Sequence, residues 1–247
     1  MHILAIDTSG TTSSAAIMDE YIILAESSVT LSDLRGAGRN GRKTHSETLM
    51  PMIDRLFEIT GMTISEIDYI ACTCGPGSFT GLRIGAATAK GLAFAADKPL
   101  VAVPTLDAMA YTVASLAAPG TWAVPMMDAR RGQVYSAFYR VKEDFTLQRT
   151  TDYLAEAAED LLEMLKGQIS ENDPVIFLGD GAKANQDRIC LAGSSMAIPC
   201  NNYPRAACAG ARALEMIGNG QYADESEFSL LYIRKPQAQR ELEARQK

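Results

Sequence analysis

The chain has 247 residues, 47% of them hydrophobic and 21% charged, with a formal net charge of −7. That is enough apolar material for one large core or two modest lobes and too much for a disordered chain. The acidic balance argues against a broad nucleic-acid surface, though not against a local basic patch.

The opening MHILAIDTSG has no basic n-region and no long apolar run, so no export signal is expected. No stretch approaches the roughly 18 apolar residues of a membrane span. Five cysteines, at 72, 74, 190, 200 and 208, fit a reducing compartment, and the expectation is a cytoplasmic protein. Residues 3–6 form an apolar run ending on Asp7, and Thr8-Ser9-Gly10 follows as a polar turn. Strands over 13–18 and 21–26 complete a predicted meander. Residues 32–44, SDLRGAGRNGRKT, hold three glycines and four basic groups and read as a mobile loop. Leu49, Met52, Ile53, Leu56 and Ile59 then recur at helical spacing until Gly61. Ser46 or Thr48 is the expected cap, and Pro51 places the regular start near Thr48.

Residues 69–74 read as a strand carrying Cys72 and Cys74 on one buried face, and GPGSFTGLRIG follows at 75–85. Ser78 is placed to cap a helix to about Ala96, with Pro99 at its exit. Gly81 and Gly85 share one face of it with Ala89. Each glycine costs about 1 kcal/mol of helix propensity against alanine, so this face is expected to serve packing or binding. Residues 100–103 read as a strand and 105–118 as a helix capped by Thr105. The pattern then restarts: 122–127 end on Asp128, 129–132 turn, and 134–141 return. Strand, terminal aspartate, turn and returning strand thus occur at both Asp7 and Asp128, a faint duplication. It predicts two similar α/β lobes, 1–104 and 105–247. Residues 151–165 and 206–217 read as helices and 175–178 as a strand. The segment beyond Pro236 reads as a projecting, charged C-terminal tail.

Asp7 and Asp128, with Thr8-Ser9-Gly10 and Gly179-Asp180-Gly181, can position a magnesium–nucleotide between lobes. They can equally brace their own turns through backbone N–H groups, and both readings stand. Backbone N–H groups around 77–79 can cradle an anion, or the loop can be a tight packing turn; it lacks the Gly-Lys-Ser/Thr of a phosphate loop. His2 and His45 form no metal pair, and no nucleophile elbow accompanies His45, which reads as a partly exposed helix-start residue. Arg35, Arg39, Arg42 and Lys43 form a compact basic cluster without interleaved aromatics, either a solvated loop or an RNA-phosphate contact.

Several segments are similar to one family. ILAIDTS at 3–9, HSETLMPMI at 45–53, GPGSFTGLRIGAATAKGLAFA at 75–95, DARRGQVYSAFY at 128–139 and SLLYIRKP at 229–236 resemble the TsaB (YeaZ) family. That family is the dimerisation subunit of the bacterial complex that makes threonylcarbamoyl-adenosine in tRNA. The resemblance implies an actin/Hsp70-like (ribonuclease H-like) fold of two duplicated lobes. It implies direct pairing with the paralogue TsaD, joining by the ATPase TsaE, and dependence on an adenylate made by TsaC or its relative. Contact with tRNA comes through the complex, a homodimer is possible for the chain alone, and no membrane is involved. The resemblance implies that the partner-binding helices belong to the first lobe, 1–104, with the surface on Leu49, Met52, Ile53 and Leu56 of one helix and Gly81, Gly85 and Ala89 of the next. TsaD carries a His-x-x-x-His metal pair where this chain has Thr105 and Met109, neither a comparable ligand. The expectation is a non-catalytic activator of TsaD with no cofactor of its own, ATP and magnesium being weakly bound at most or shared. One alternative is a nucleotide-binding phosphotransferase or hydrolase using Asp7, Asp128 and Gly179. The other is a tRNA-binding module using residues 35–43.

Overall fold

Every residue of Ile3–Asp7 (β1) and Thr12–Met18 (β2) is buried, as happens when both faces of a sheet are covered. The computed structural model describes residues 1–31, 43–114, 116–189, 191 and 193–234. β1 is antiparallel to β2, and β2 to Ile23–Thr30 (β3). The helix His45–Thr60 (α1) leads to Tyr69–Gly75 (β4), which runs parallel to β1. The helix Phe79–Ala96 (α2) leads to Leu100–Pro104 (β5), parallel to β4. The sheet order is β3-β2-β1-β4-β5. α1 and α2 cover one face, where Leu49, Ile53, Leu56 and Ala89 meet Leu4, Ile6, Cys72 and Cys74.

After Thr105–Ala114 (α3) the topology repeats. Trp122–Asp128 (β6) is antiparallel to Gln133–Ser136 (β7), and lower down to Tyr139–Val141 (β8), which pairs with Leu147–Arg149 (β9). Leu154–Ala157 (β10) pairs with β7, and Ala158–Lys166 (α4) follows it. Val175–Leu178 (β11) lies parallel to β6, the short helix Asp180–Ala184 (α5) follows, and Ser194–Met196 (β12) lies parallel to β11. The order β10-β7-β6-β11-β12 matches the first sheet strand for strand, with the same antiparallel and parallel senses. β1 and β6 are therefore equivalent, and so are Asp7 and Asp128 at their ends. This is the duplicated architecture that the repeat predicts, and it agrees with the actin/Hsp70-like fold that the resemblance implies.

The lobe division is not the predicted one. Ala206–Gly218 (α6) returns to the first sheet, where Ala206, Ala209 and Ala213 cover Ile3, Ala5, Ala16 and Val101. Phe228 joins the core under α1 and α2, and Leu231 N donates to Cys74 O at 2.7 Å. α3 meanwhile buries Leu106, Met109, Ala110 and Val113 against Ala123, Met127 and Leu178 of the second lobe. Residues 105–247 are thus not one lobe, because the apolar alanine face of α6 matches the bare side of the first sheet.

Local readings also change. α1 starts at His45, with Thr44 N donating to Glu47 Oε2 at 2.7 Å, and Pro51 lies inside the helix. Ser46 and Thr48 are not its caps; the Thr48 hydroxyl donates back to Thr44 O at 3.0 Å. The third strand lies later than 21–26, and 134–141 breaks into two strands at Ala137 and Phe138. The predicted helix over 151–165 is a strand followed by a shorter helix, because Leu154–Ala157 completes the second sheet's edge. Arg35, Arg39 and Arg42 and the tail beyond Pro236 lie outside the described residues.

Candidate functional site

The duplicated sheets bring the ends of β1, β4, β6 and β11 around one cleft of about 400 Å³, lined by Ser9, Gly10, Ser78, Asp128, Arg130 and Asp180 among others. A crevice at the carboxyl ends of strands is where α/β folds of this kind hold ligands.

Asp7 does not face this cleft. It is fully buried, and its Oδ1 accepts from the Ser9 hydroxyl at 2.6 Å, Ser9 N at 3.3 Å and the Thr73 hydroxyl at 2.7 Å. Its Oδ2 is buried with no partner among the described residues. Burial pushes this carboxyl above its usual range, against the pull of those hydrogen bonds. Asp128 does line the cleft: its Oδ1 accepts from Arg130 N at 2.7 Å, and its Oδ2 lies 3.3 Å from the Arg130 guanidinium. Each aspartate accepts from the backbone two residues on, which is the turn-bracing arrangement. Gly179 is a packing position with φ of 104°, where a Cβ would strike the Met126 carbonyl. The cleft residue beside it is Asp180, whose Oδ1 accepts from Asp128 N at 3.0 Å. Of Asp7, Asp128 and Gly179, only Asp128 reaches the cleft.

The loop after β4 is held from both sides. Ser78 N donates to Ser9 O at 2.6 Å, so that N–H is not free for an anion. A Cβ at Gly77 would strike Ser9 O, and one at Gly75 would strike Leu231 O. As expected, Ser78 Oγ caps α2, accepting from Gly81 N at 3.3 Å. His45 is half-buried, and its Nε2–H donates to Gly10 O at 3.1 Å, tying the start of α1 to the cleft floor.

The predicted partner surface needs correction. Leu49, Ile53, Leu56 and Ala89 are at most 2% exposed and belong to this chain's own core. Gly81 and Gly85 do permit a close approach, but by Thr8 of the same chain, its carbonyl at Gly81 and its hydroxyl at Gly85; that hydroxyl donates to Gly81 O at 2.8 Å. Met52 is half-buried. What α2 presents outward is Phe79, Arg83, Ala87, Gly91 and Phe94, the last 76% exposed, while α1 presents Met50 and Ile59. Nothing approaches the Cβ direction of Gly91 within 4 Å. The signal for this face was in the sequence, as the complement of the buried stripe at helical spacing.

Thr105 and Met109 are buried, Met109 against Gly179 and the second-lobe core. They do not fit a metal, and among the described residues no group of three His, Cys, Asp or Glu is placed to hold one. Cys72 and Cys74 face the core as predicted, and burial pushes the Cys74 thiol up to about 12.

One constellation has no signature in the sequence. Asp107, 5% exposed, accepts from the hydroxyls of Tyr139 at 2.7 Å and Tyr153 at 2.8 Å and from Arg212 Nε at 3.1 Å. These groups line a polar cavity of about 250 Å³ where α3, β8, β9 and α6 meet. Among the described residues no helix is long and apolar enough to cross a membrane.

Residues 39–228 match the family model described as "TsaD: tRNA N6-adenosine threonylcarbamoyltransferase". The chain is 36% identical over 193 residues to a Bacillus subtilis protein named tRNA threonylcarbamoyladenosine biosynthesis protein TsaB, covering 76% of this chain and 75% of that one. The Escherichia coli protein of the same name is 33% identical over 151 residues, covering 58% and 57%. Among solved structures, YeaZ from Pseudomonas aeruginosa superposes with a TM-score of 0.75 at 22% identity, over 94% of this chain and 99% of that one.

Proposed function

The chain belongs to the TsaB (YeaZ) family, within the wider family that includes the TsaD transferases, and from that premise we propose that it is an accessory, non-catalytic subunit of threonylcarbamoyladenosine synthesis on tRNA. It binds and activates a TsaD-type transferase in the cytoplasm. A TsaE-type ATPase and a TsaC-type source of adenylate complete the set, and tRNA is engaged through the complex.

One observation carries this reading. α1 and α2 lie in contact on the first sheet, and the outward face of α2 carries the small residues Ala87 and Gly91 in line with exposed Phe94, while α1 exposes Met50 and Ile59 on its two flanks. Small residues let a second helix pair approach closely, and large apolar ones supply the area it buries. On this reading the pairing surface is the outward side of these helices rather than the buried stripe. Without a transferase the same strip pairs two copies of the chain.

Co-purification with a tagged TsaD-type partner tests the surface. Gly91→Arg and Phe94→Asp should weaken pairing at least tenfold with circular dichroism unchanged. Full pairing by these folded variants would place the interface elsewhere. The chain alone should transfer no threonylcarbamoyl group; transfer by the purified chain would overturn the accessory reading.

The cleft is proposed to hold no cofactor of the chain's own. Asp7 is withdrawn beneath Ser9, and the Ser78 N–H is taken by Ser9 O. Calorimetry with ATP and magnesium should give weak binding at most. Tight binding that Asp128→Asn abolishes would instead favour the phosphotransferase reading.

A further inference from the structure

The rim of the cleft carries a cationic, aromatic patch assembled from three separate segments. On the first turn of α2, Phe79 is 42% exposed, and its ring lies 5.7 Å from that of Tyr232, itself 39% exposed. The Arg83 guanidinium sits 3.9 Å over the Phe79 ring, and its Nε donates to the Tyr232 hydroxyl at 3.4 Å. Two residues after Tyr232, Arg234 reaches across to the second lobe and donates to Ala129 O at 3.1 Å. The turn that follows Ala129 then holds Arg130 and Arg131 at left-handed φ of 66° and 58°. Asparagine or glycine is the usual choice there, and a larger side chain costs about 1 kcal/mol at each such position. Arg130 has a carboxylate partner in Asp128. Among the described residues Arg83, Arg131 and Arg234 have no carboxylate partner, and Arg131 is exposed on the turn beside Arg130; the carboxylate of Asp180 lines the cleft itself.

The geometry points to this rim as a contact surface for single-stranded RNA. The guanidinium groups without a carboxylate partner suit successive phosphates, and the exposed Tyr232 ring, braced by Phe79 and Arg83, offers a surface on which an unstacked base can pack. The aromatic pair distinguishes this patch from a plain phosphate or acidic-peptide site. It lies at the cleft end of α2, whereas the proposed docking strip runs through Ala87, Gly91 and Phe94 toward the other end. The choice of RNA among polyanions rests on the proposed role in tRNA modification; the surface itself does not depend on docking.

Fluorescence anisotropy of a labelled 12-nucleotide oligo(U) with the full chain, at several salt concentrations, tests the assignment. Three neutralised phosphates at about 0.7 each predict a log–log salt slope of about −2. Arg131→Ala combined with Arg234→Ala should bring the slope to about −0.7 and weaken binding at least fivefold at low salt. Tyr232→Ala should weaken binding about fivefold or more with the slope unchanged, the signature of a lost stack. Circular dichroism confirms that each variant is folded. The assignment falls if the folded chain does not bind at low salt, or if the double arginine variant keeps the parent's affinity and salt slope, so that binding resides elsewhere, for instance at residues 35–43. It falls equally if an acidic peptide of matching charge displaces the oligonucleotide as well as unlabelled oligo(U) does. Co-purification with the TsaD-type partner, run on the same variants, reads the other end of α2, so loss of one activity with the other intact separates this inference from the docking proposal.

Discussion

Asp7 is a carboxyl group with one oxygen satisfied three times and the other left without a partner. Burial raises its folded-state pKa above the ordinary aspartate value of 3.8, so the folded protein holds that proton more tightly than the unfolded chain does. The resulting penalty is absent below about 3.8 and grows as pH rises through the raised folded value. Asp7→Asn removes the ionisation. Its stability relative to the parent should therefore climb with pH across that window, as measured by urea unfolding of both proteins from pH 4 to 8. A constant difference would mean that Asp7 titrates normally. The sequence made Asp7 and Asp128 legible as a pair of strand ends. It could not say which was withdrawn from the cleft, because the cover over Asp7 is set by contacts such as Thr8 with Gly81, far apart in the chain.

α1 and α2 show how periodicity identifies a face without saying what covers it. The stripe of Leu49, Ile53 and Leu56 was correctly read as apolar and helical, and the glycine face as built for close approach. Both contacts are internal. Leu56→Ala should cost about 2–5 kcal/mol by leaving a cavity under α1. Gly85→Ala should cost about 1–3 kcal/mol by pushing on the Thr8 hydroxyl. Both losses would be seen as lower urea midpoints, and in both variants the folded fraction should still pair with the TsaD-type partner. Loss of pairing at unchanged stability would return the interface to the buried stripe. Pro51 misled the placement of the helix start because its missing N–H costs one bond inside α1, a cost the helix absorbs through its packing on β2 and β3.

At the scale of the molecule, the duplication could be seen from two aspartate-ended strands, since the turn chemistry recurs. The junction could not, because it is made by side chains distant in sequence. Asp107 on α3 takes hydroxyls from Tyr139 and Tyr153 in the second lobe and the guanidinium of Arg212 on α6, packed against the first. Asp107→Ala strands that buried arginine and both phenols and should cost about 3 kcal/mol, the low end for a broken buried pair, since Arg212 retains 22% exposure and Glu215. The double change Tyr139→Phe, Tyr153→Phe should cost less, and equal losses would mean that the ion pair contributes little. The return of α6 to the first sheet also imposes an order in time. As the chain leaves the ribosome, α1 and α2 can cover most of one side of that sheet early, with only Phe228 and its neighbours still to come. The other side, with Ile3, Ala5, Ala16 and Val101, stays bare until Ala206 and the residues after it emerge. The half of the protein that is synthesised first is finished last, and a nascent chain stalled before α6 exposes a ready site for aggregation or for a chaperone.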